Sequence, residues 1–482
     1  MLGAQLMIIL DATVVNIALP HIQTGLHFSA TSLSWVMNGY TLTFGGLLLL
    51  GGRAGDILGR RRMFLAGIVI FTLASLAGGL APNAAVLLTA RAIQGVGGAL
   101  ASPAVLALVV SGFPEGKERI RALAIYSAVV TGGSSLGLVL GGLITQWANW
   151  RWVLFINVPI GVAVTLLAPR FVSETPRQPG RFDLPGAVTS TVGVAAVVYA
   201  FIRAASNGWG DSVAIGGFAL AAVLLVAFVF NETRAPQPIT PLRLFADLGR
   251  SGSFVVRLLL VAGMFGMFFF LTQFLQDVLG FGALTTGIAF LPMTVMLFAV
   301  SRLMPRLLPR IGGYRLMLLG MVPVVIGMAW LSRVSPTTDY WTGVFGPMVL
   351  LGGGMGAVFV PLTTASLAGV RPQESGAASS MVNVMQQLGG SVGLAVLVAV
   401  FGTATRDSAA HPVAGLSAAA FHTRVLAHGM STAFMLAAIF DVAALVLIAL
   451  LLRDRKPKVP DTPAGLSDEE VAATAIGEAA GD

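Results

Sequence analysis

The sequence predicts an all-α polytopic membrane protein of about 14 transmembrane helices, built as two six-helix bundles with two helices inserted between them. Three observations carry this reading. Of 482 residues, 56% are hydrophobic and 10% charged, whereas soluble domains average roughly 25% charged. Apolar segments of about 20 residues recur along the whole chain, each long enough to cross a ~30 Å hydrocarbon core. The cations are lopsided: with the first segment running outward, roughly 22 of the 29 Lys and Arg fall in inner loops, the positive-inside pattern.

The first span, roughly 3–23, holds Asp11 about ten residues from either end. An ionisable side chain at that depth costs from about 2.5 kcal/mol to several times that, so the acid is read as a functional part. The second span, roughly 33–52, offers Trp35, Asn38 and Tyr40, and the third runs over roughly 63–82. The fourth, roughly 85–110, carries Arg91, the natural companion of Asp11, with Gln94 one turn on along the same face. Gly95 and Gly98 there, and Gly133, Gly137 and Gly141 in the fifth span (roughly 121–146), recur at helical spacing, which lets backbones approach closely. The sixth span covers roughly 152–170.

The seventh and eighth spans, roughly 185–203 and 213–230, carry no buried charge and are bracketed by inner loops rich in Pro and charge. They read as an insert at the periphery. The ninth, roughly 254–276, is dense in Met and Phe, with Phe268 and Gln273 as substrate-pocket candidates beside Trp35, Asn38 and Gln94. Asp277 reads as interfacial. Spans of roughly 284–304, 314–332 and 342–362 follow, then roughly 377–402 with the further candidates Asn383 and Gln386. The last, roughly 430–452, holds Asp441 near its middle, either a second protonation site or a neutral acid bonded to a neighbouring helix. The division is 1–173 and 251–453 for the two bundles, 174–250 for the inserted pair and 454–482 for a flexible cytoplasmic tail. A weak internal echo between the loops GGRAGDILGRRRMFLAG and MPRLLPRIGGYRLMLLG supports the repeat.

These features also exclude classes. The net charge of +8 is explained by topology, so no nucleic-acid partner is implied. With no cysteine there is no disulfide or thiolate metal site, and the five histidines form no zinc pattern, so no metal is expected. Nothing points to an enzyme, and no phosphate-cradling GxxxxGK[ST] motif occurs, so ATP-driven export is not expected; no cofactor is expected, with the proton gradient as the expected drive. Met1 lies almost at the membrane face with no basic lead, which points to a shortened or misassigned start. Burial and a neighbouring cation act on an acid in opposite senses, so an acid held between them can exchange a proton near neutral pH. Asp11 with Arg91 therefore suggests a proton-coupled transporter.

Four stretches carry a family resemblance: Leu10 to Pro20 (LDATVVNIALP), Gly52 to Arg62 (GRAGDILGRRR), Arg91 to Gly98 (RAIQGVGG), and Gly137 to Gly142 (GLVLGG) followed by Asn149-Trp150-Arg151-Trp152. Together they resemble the major facilitator superfamily, and within it the 14-span drug:proton antiporters. Two positions depart from that pattern: Leu138 stands where the antiporter motif has Pro, and Ile57 where the inner-loop motif has a basic residue. The resemblance implies the major facilitator fold and proton-coupled multidrug efflux by alternating access from a bacterial cytoplasmic membrane, with both termini cytoplasmic. It implies that the loop residues Gly52, Asp56, Gly59, Arg60 and Arg61 form a gate, with Asp56 bridging to the opposite half in an outward-open state. It places the glycine helix of Gly133, Gly137, Gly141 and Gly142 at the interface of the halves. Partners are then a small-molecule substrate, protons and membrane lipid, with the protein a monomer. Two narrower readings stay open, a natural-product exporter or a lipid flippase, and from another class a membrane receptor or scaffold that transports nothing.

Overall fold

In hydrocarbon only internally hydrogen-bonded backbone is tolerated, and the recurring apolar runs accordingly fold into helices. The computed structural model describes residues 1–112, 117–172, 174, 177, 182–240, 242–370, 375–412 and 416–452. The tail 454–482 and the cations Arg453, Arg455, Lys456 and Lys458 lie outside the described residues. Among the described residues, 13 helices are long and apolar enough to cross a membrane, and Lys117–Trp147, 31 residues, is a fourteenth long helix.

The first six are α1 (Leu2–Leu26), α2 (Trp35–Leu58), α3 (Arg60–Gly79), α4 (Ala84–Gly112), α5 (Lys117–Trp147) and α6 (Asn157–Phe171), the last entered through the turn Trp152–Phe155. The inserted pair is α7 (Leu184–Asn207) and α8 (Ser212–Arg234). Then come α9 (Leu248–Gln273), α10 (Leu291–Ile311), α11 (Gly313–Leu331), α12 (Gly346–Leu367), α13 (Ser375–Ala410) and α14 (Ala418–Leu451). Wider π turns extend α9 over Phe274–Val278 and precede α12 over Trp341–Phe345. Side-chain oxygens satisfy exposed amides at several N-termini: Asp211 accepts from Ala214 N at 2.9 Å, Asp247 from Arg250 N at 2.8 Å and Ser417 from Ala420 N at 3.2 Å. That serine starts α14 about twelve residues before the expected span, because its first turns, with His422, Arg424 and His428, are polar and add nothing to an apolar window.

The two echoing loops turn in the same way. Gly59 (φ +109°) is the single residue between α2 and α3, and Gly312 (φ +85°) the single residue between α10 and α11. A side chain is strained at such angles. Helix pairing recurs with an offset of eight: α2 with α4, α3 with α4, α1 with α5 and α3 with α6 are matched by α10 with α12, α11 with α12, α9 with α13 and α11 with α14.

Contacts between the two sets run along α2 and α13 past Gly45, which faces Gln387, to Leu49, which packs on Phe254, Met381 and Val382, and they include the end of the molecule that carries Trp150. There a single apolar core joins Val14, Leu19 and Trp150 to Met267, Phe270, Leu275 and Phe290. Gln276 donates to Ile17 O at 2.9 Å, Gln146 accepts from Leu284 N at 3.0 Å, and Ser391 donates to Thr41 at 2.8 Å.

The inserted pair docks through α7 onto α2 and α13. Only 11% of the α8 apolar window is buried, against 67% for α1, so α8 lies at the periphery. Within 185–203 and 213–230 no buried charge is seen among the described residues, but charge is buried just beyond those bounds: α8 runs on to Arg234, and its Glu232 is 4% exposed beside the α7 cap Asp183 at 8%. An apolar scan stopped at 230 because the burial comes from packing of helix ends, not from the membrane.

Candidate functional site

Four helices of the first set bring five polar side chains to one dry point. Asp11 (α1), Ser75 (α3), Arg91 and Gln94 (α4) and Asn157 (α6) are each no more than 1% exposed. Arg91 Nη1 donates to Asp11 Oδ2 at 2.5 Å and to Gln94 Oε1 at 2.7 Å, while Nε donates to Val36 O at 3.1 Å. Gln94 Nε2 donates to Asp11 Oδ1 and to Ser75 Oγ, both at 2.7 Å. Asn157 Nδ2 donates to the same two atoms at 2.8 and 3.2 Å. Tyr40 of α2 lies face-on to the guanidinium, 4.5 Å from ring centroid to Cζ. Arginine suits this place because its planar fork reaches several acceptors at once and stacks on an aromatic ring.

The network is close to saturated, with two exceptions. Arg91 Nη2 and Asn157 Oδ1 are buried without a partner. A buried pair is stable only with such supporting hydrogen bonds, since desolvation of each ion costs several kcal/mol. Removing one member leaves the other uncompensated. Ser75 and Asn157 escaped the sequence reading because uncharged polar residues carry no depth signal; only the fold brings them to Asp11.

Helix α1 also faces the second set. Asn16, five residues beyond Asp11, donates through Nδ2 to Thr272 Oγ1 at 2.9 Å and to Phe268 O at 3.2 Å, both on α9. One helix therefore holds the buried acid on one side and a polar seam between the two sets on another.

Helix α5 lies against α1 along its glycines. A Cβ at Gly133 would meet Leu6 and Ile9, one at Gly137 would strike the Thr13 hydroxyl, and one at Gly141 would lie 2.9 Å from Val14 Cα and O. Gly142 instead faces the backbone of Ala283 and Leu284, at the turn into α10. On α4, Gly95 and Gly98 pack onto Tyr40 and Phe44 of α2.

At the opposite end from Trp150, Asp56 Oδ1 accepts from Arg60 Nε at 3.2 Å and Nη2 at 3.0 Å. This pair lies within its own loop, and among the described residues no bond from Asp56 to the second set is seen. Glu174 Oε1 accepts from Arg61 N at 3.0 Å, so a residue beyond α6 holds the start of α3, and Gly59 leaves room for its carboxylate. Gly52 faces Pro103 of α4.

The pocket candidates do not converge. Trp35 stands by Tyr199 of the insert, 6.3 Å between ring centroids. Phe268 packs on Phe290, and Gln273 donates to Phe269 O of its own helix. Asn383 is exposed and Gln386 half-buried on α13. Asn38 is fully buried with neither amide atom partnered, one turn from Thr41, which meets α13.

In the second set Asp441 is fully buried against Gly263 of α9, and neither carboxyl oxygen has a partner. Among the described residues the expected bond to a neighbouring helix is not seen. Arg257 of α9, overlooked although it is a charge inside an apolar run, is 3% exposed and donates to Thr363 Oγ1 at 2.6 Å. Its Cζ lies 5.7 Å from the Phe359 ring, and its Nε has no partner.

Comparison with known proteins agrees with this architecture. The family model of the Major Facilitator Superfamily matches residues 1–394. The puromycin resistance protein of Streptomyces alboniger is 43% identical over 455 residues, covering 93% of this chain and 89% of that protein. The cephamycin export protein of Amycolatopsis lactamdurans is 38% identical over 453 residues, covering 93% and 90%. The crystal structure of an auto-inhibited peptide transporter of the POT family superposes with a TM-score of 0.66 at 16% identity, covering 96% of this chain and 98% of that one, a likeness of fold. The chain is a multi-pass membrane transporter, not an enzyme, and belongs to the Major Facilitator Superfamily.

Proposed function

We propose that this transporter exports lipophilic or cationic drugs and antibiotics across a bacterial cytoplasmic membrane in exchange for protons, working as a monomer with both termini cytoplasmic. The observation that carries the reading is the dry Asp11–Arg91 network on the helix that also binds α9 through Asn16. Asp11 carries the proton and Arg91 tunes it. When Asp11 is protonated its hold on Arg91 weakens, and rotation of the Asn157 amide presents the unpartnered Oδ1 as acceptor for the new O–H. The strain reaches α9 along α1. Asp441, dry and unpartnered, is the second protonation site.

The halves are 1–173 and 251–453, a division supported by the recurring helix pairs. With the seam at Asn16 and Gln276 closed, the Trp150 end is sealed and substrate is admitted from the Asp56 end. Opening the seam between α2 and α13 exposes the amide of Asn38 to substrate, with Gln386 and Asn383 further along α13. The two relatives described above are named for single natural products, puromycin and cephamycin, which supports narrow-specificity antibiotic export as the second reading.

The test uses purified protein in proteoliposomes. Asp11→Asn should lose efflux driven by a pH gradient yet retain substrate counterflow. Active efflux at the parent rate in that variant would sink the assignment.

A further inference from the structure

The inserted helices hold a second pair of buried acids that the transport cycle above does not use. Asp183, the cap of α7, accepts on Oδ1 from Gly186 N and Asn231 Nδ2, both at 2.9 Å, and on Oδ2 from Asn231 Nδ2 at 3.0 Å. Glu232, in the last turn of α8, accepts on Oε2 from the Thr240 amide at 2.8 Å. Its Oε1 is buried with no donor. That atom and Asp183 Oδ2 flank the same point above Gly186, 2.9 and 2.4 Å from where a Cβ would lie, so the two carboxyl groups face each other across one buried spot.

Two ionised carboxylates only accept, so this contact would press two acceptors together in a dry site. Like charges at that separation do not both ionise. Among the described residues no ion pair to either carboxyl group is seen. Arg234 lies over the Phe230 ring, 3.8 Å from its centroid, and Arg53 of α2 is bonded to Gln237 Oε1 at 2.6 Å.

We propose that Glu232 binds a proton on Oε1 and donates it to Asp183 Oδ2, closing an acid–carboxylate clasp between α7 and α8. The donor count assigns the partners. Asp183 is held by two donors, the Gly186 amide and Asn231 Nδ2, the latter reaching both its oxygens, and is the carboxylate; Glu232 is held by the Thr240 amide and holds the proton. The clasp ties down the segment between α8 and the turn Leu242–Phe245, because Glu232 also anchors Thr240. Gln237 of that segment meets Arg53 in the loop motif of α2. Loss of the proton sets the two carboxylates against each other and frees the segment that leads into α9. The insert is thus a proton-operated tether between the Asp56 end of the first set and the start of the second. This goes beyond the exchange cycle and does not depend on the role of Asp11. A metal ion is the competing occupant, but Asn231 turns amide N–H, not oxygen, toward both Asp183 oxygens.

The experiment uses the full chain in lipid nanodiscs. The infrared difference between parent and Glu232→Gln should show loss of a protonated carboxylic-acid band. Hydrogen exchange of the 235–247 segment, corrected for intrinsic rate, should accelerate in the parent by up to about tenfold per pH unit above the titration point. In Glu232→Gln it should stay flat, since the glutamine amide donates to Asp183 while its carbonyl accepts from Thr240. If that variant fails to fold, Asp183→Asn gives the same readout, its amide donating to an ionised Glu232. An unchanged acid band, or parent-like pH dependence in the variant that folds, overturns the proposal. So does protection at high pH that returns in the parent on adding Na⁺ or Mg²⁺, which would make the pair a cation site.

Discussion

Asn157 on α6 donates to Asp11 Oδ1 at 2.8 Å, a hydrogen bond between residues 146 apart in sequence. With Gln94 on the same oxygen and Arg91 on the other, the buried carboxylate has a donor from α6 and two from α4. Its state is therefore felt by three helices at once. A proton added there cannot be a local event.

Asn157→Leu should keep the branched shape but remove the donor, costing about 1–3 kcal/mol for a buried polar group left short of a partner. Thermal unfolding in detergent checks this. Asn157→Asp should be worse, because it sets a second acid against Asp11. Equal stability of the parent and both variants would show that the bond matters little.

Arg91→Lys should impair transport by at least about tenfold even though the charge is kept, since a lysine cannot reach Asp11, Gln94 and Val36 O together or lie flat on Tyr40. The check is efflux in proteoliposomes at matched protein content. A lysine variant with parental rates would mean that Arg91 acts as a point charge only.

Asp11 and Arg91 were legible because a charge in an apolar run stands out, and Gln94 because helical spacing puts it one turn from Arg91. Ser75 and Asn157 were not, since their meeting depends on how α3 and α6 rotate against α1. The aromatic run of α9 shows the opposite limit. Phe269, Phe270 and Phe274 are no more than 1% exposed and fill the core, although their composition reads equally well as a ligand surface. Glu232 and Asp183 sit at helix ends, where burial comes from tertiary packing, so hydropathy gave no hint of the clasp.

Gly141→Val should abolish transport, because its Cβ would lie 2.9 Å from the backbone of Val14 and drive α5 off the helix that carries Asp11. Gly210→Ala is the control, with nothing within 4 Å of its Cβ, and should behave as the parent. Expression, thermal stability and efflux are measured together. Full activity of Gly141→Val would mean that α1 and α5 need not stay in contact.

The gate is best probed at Asp56. Its bond to Arg60 is about 30% exposed on each side, and exposed pairs of this kind contribute about 0–1 kcal/mol, so Asp56→Asn should fold and insert normally. The resemblance assigns Asp56 a bond to the opposite half in the outward-open state, whereas in this structure it is held by its own loop. If it alternates between those partners, its loss removes a differential contact and shifts the equilibrium toward the inward-open form. Coupling of that kind is worth about 5–150-fold in an equilibrium, so efflux should fall by at least about fivefold with substrate affinity from the Asp56 side little changed. The chain has no cysteine, so one engineered at that face reports accessibility without background. Faster labelling in Asp56→Asn than in the parent is expected. Equal labelling rates would leave Asp56 as a partner for Arg60 and nothing more.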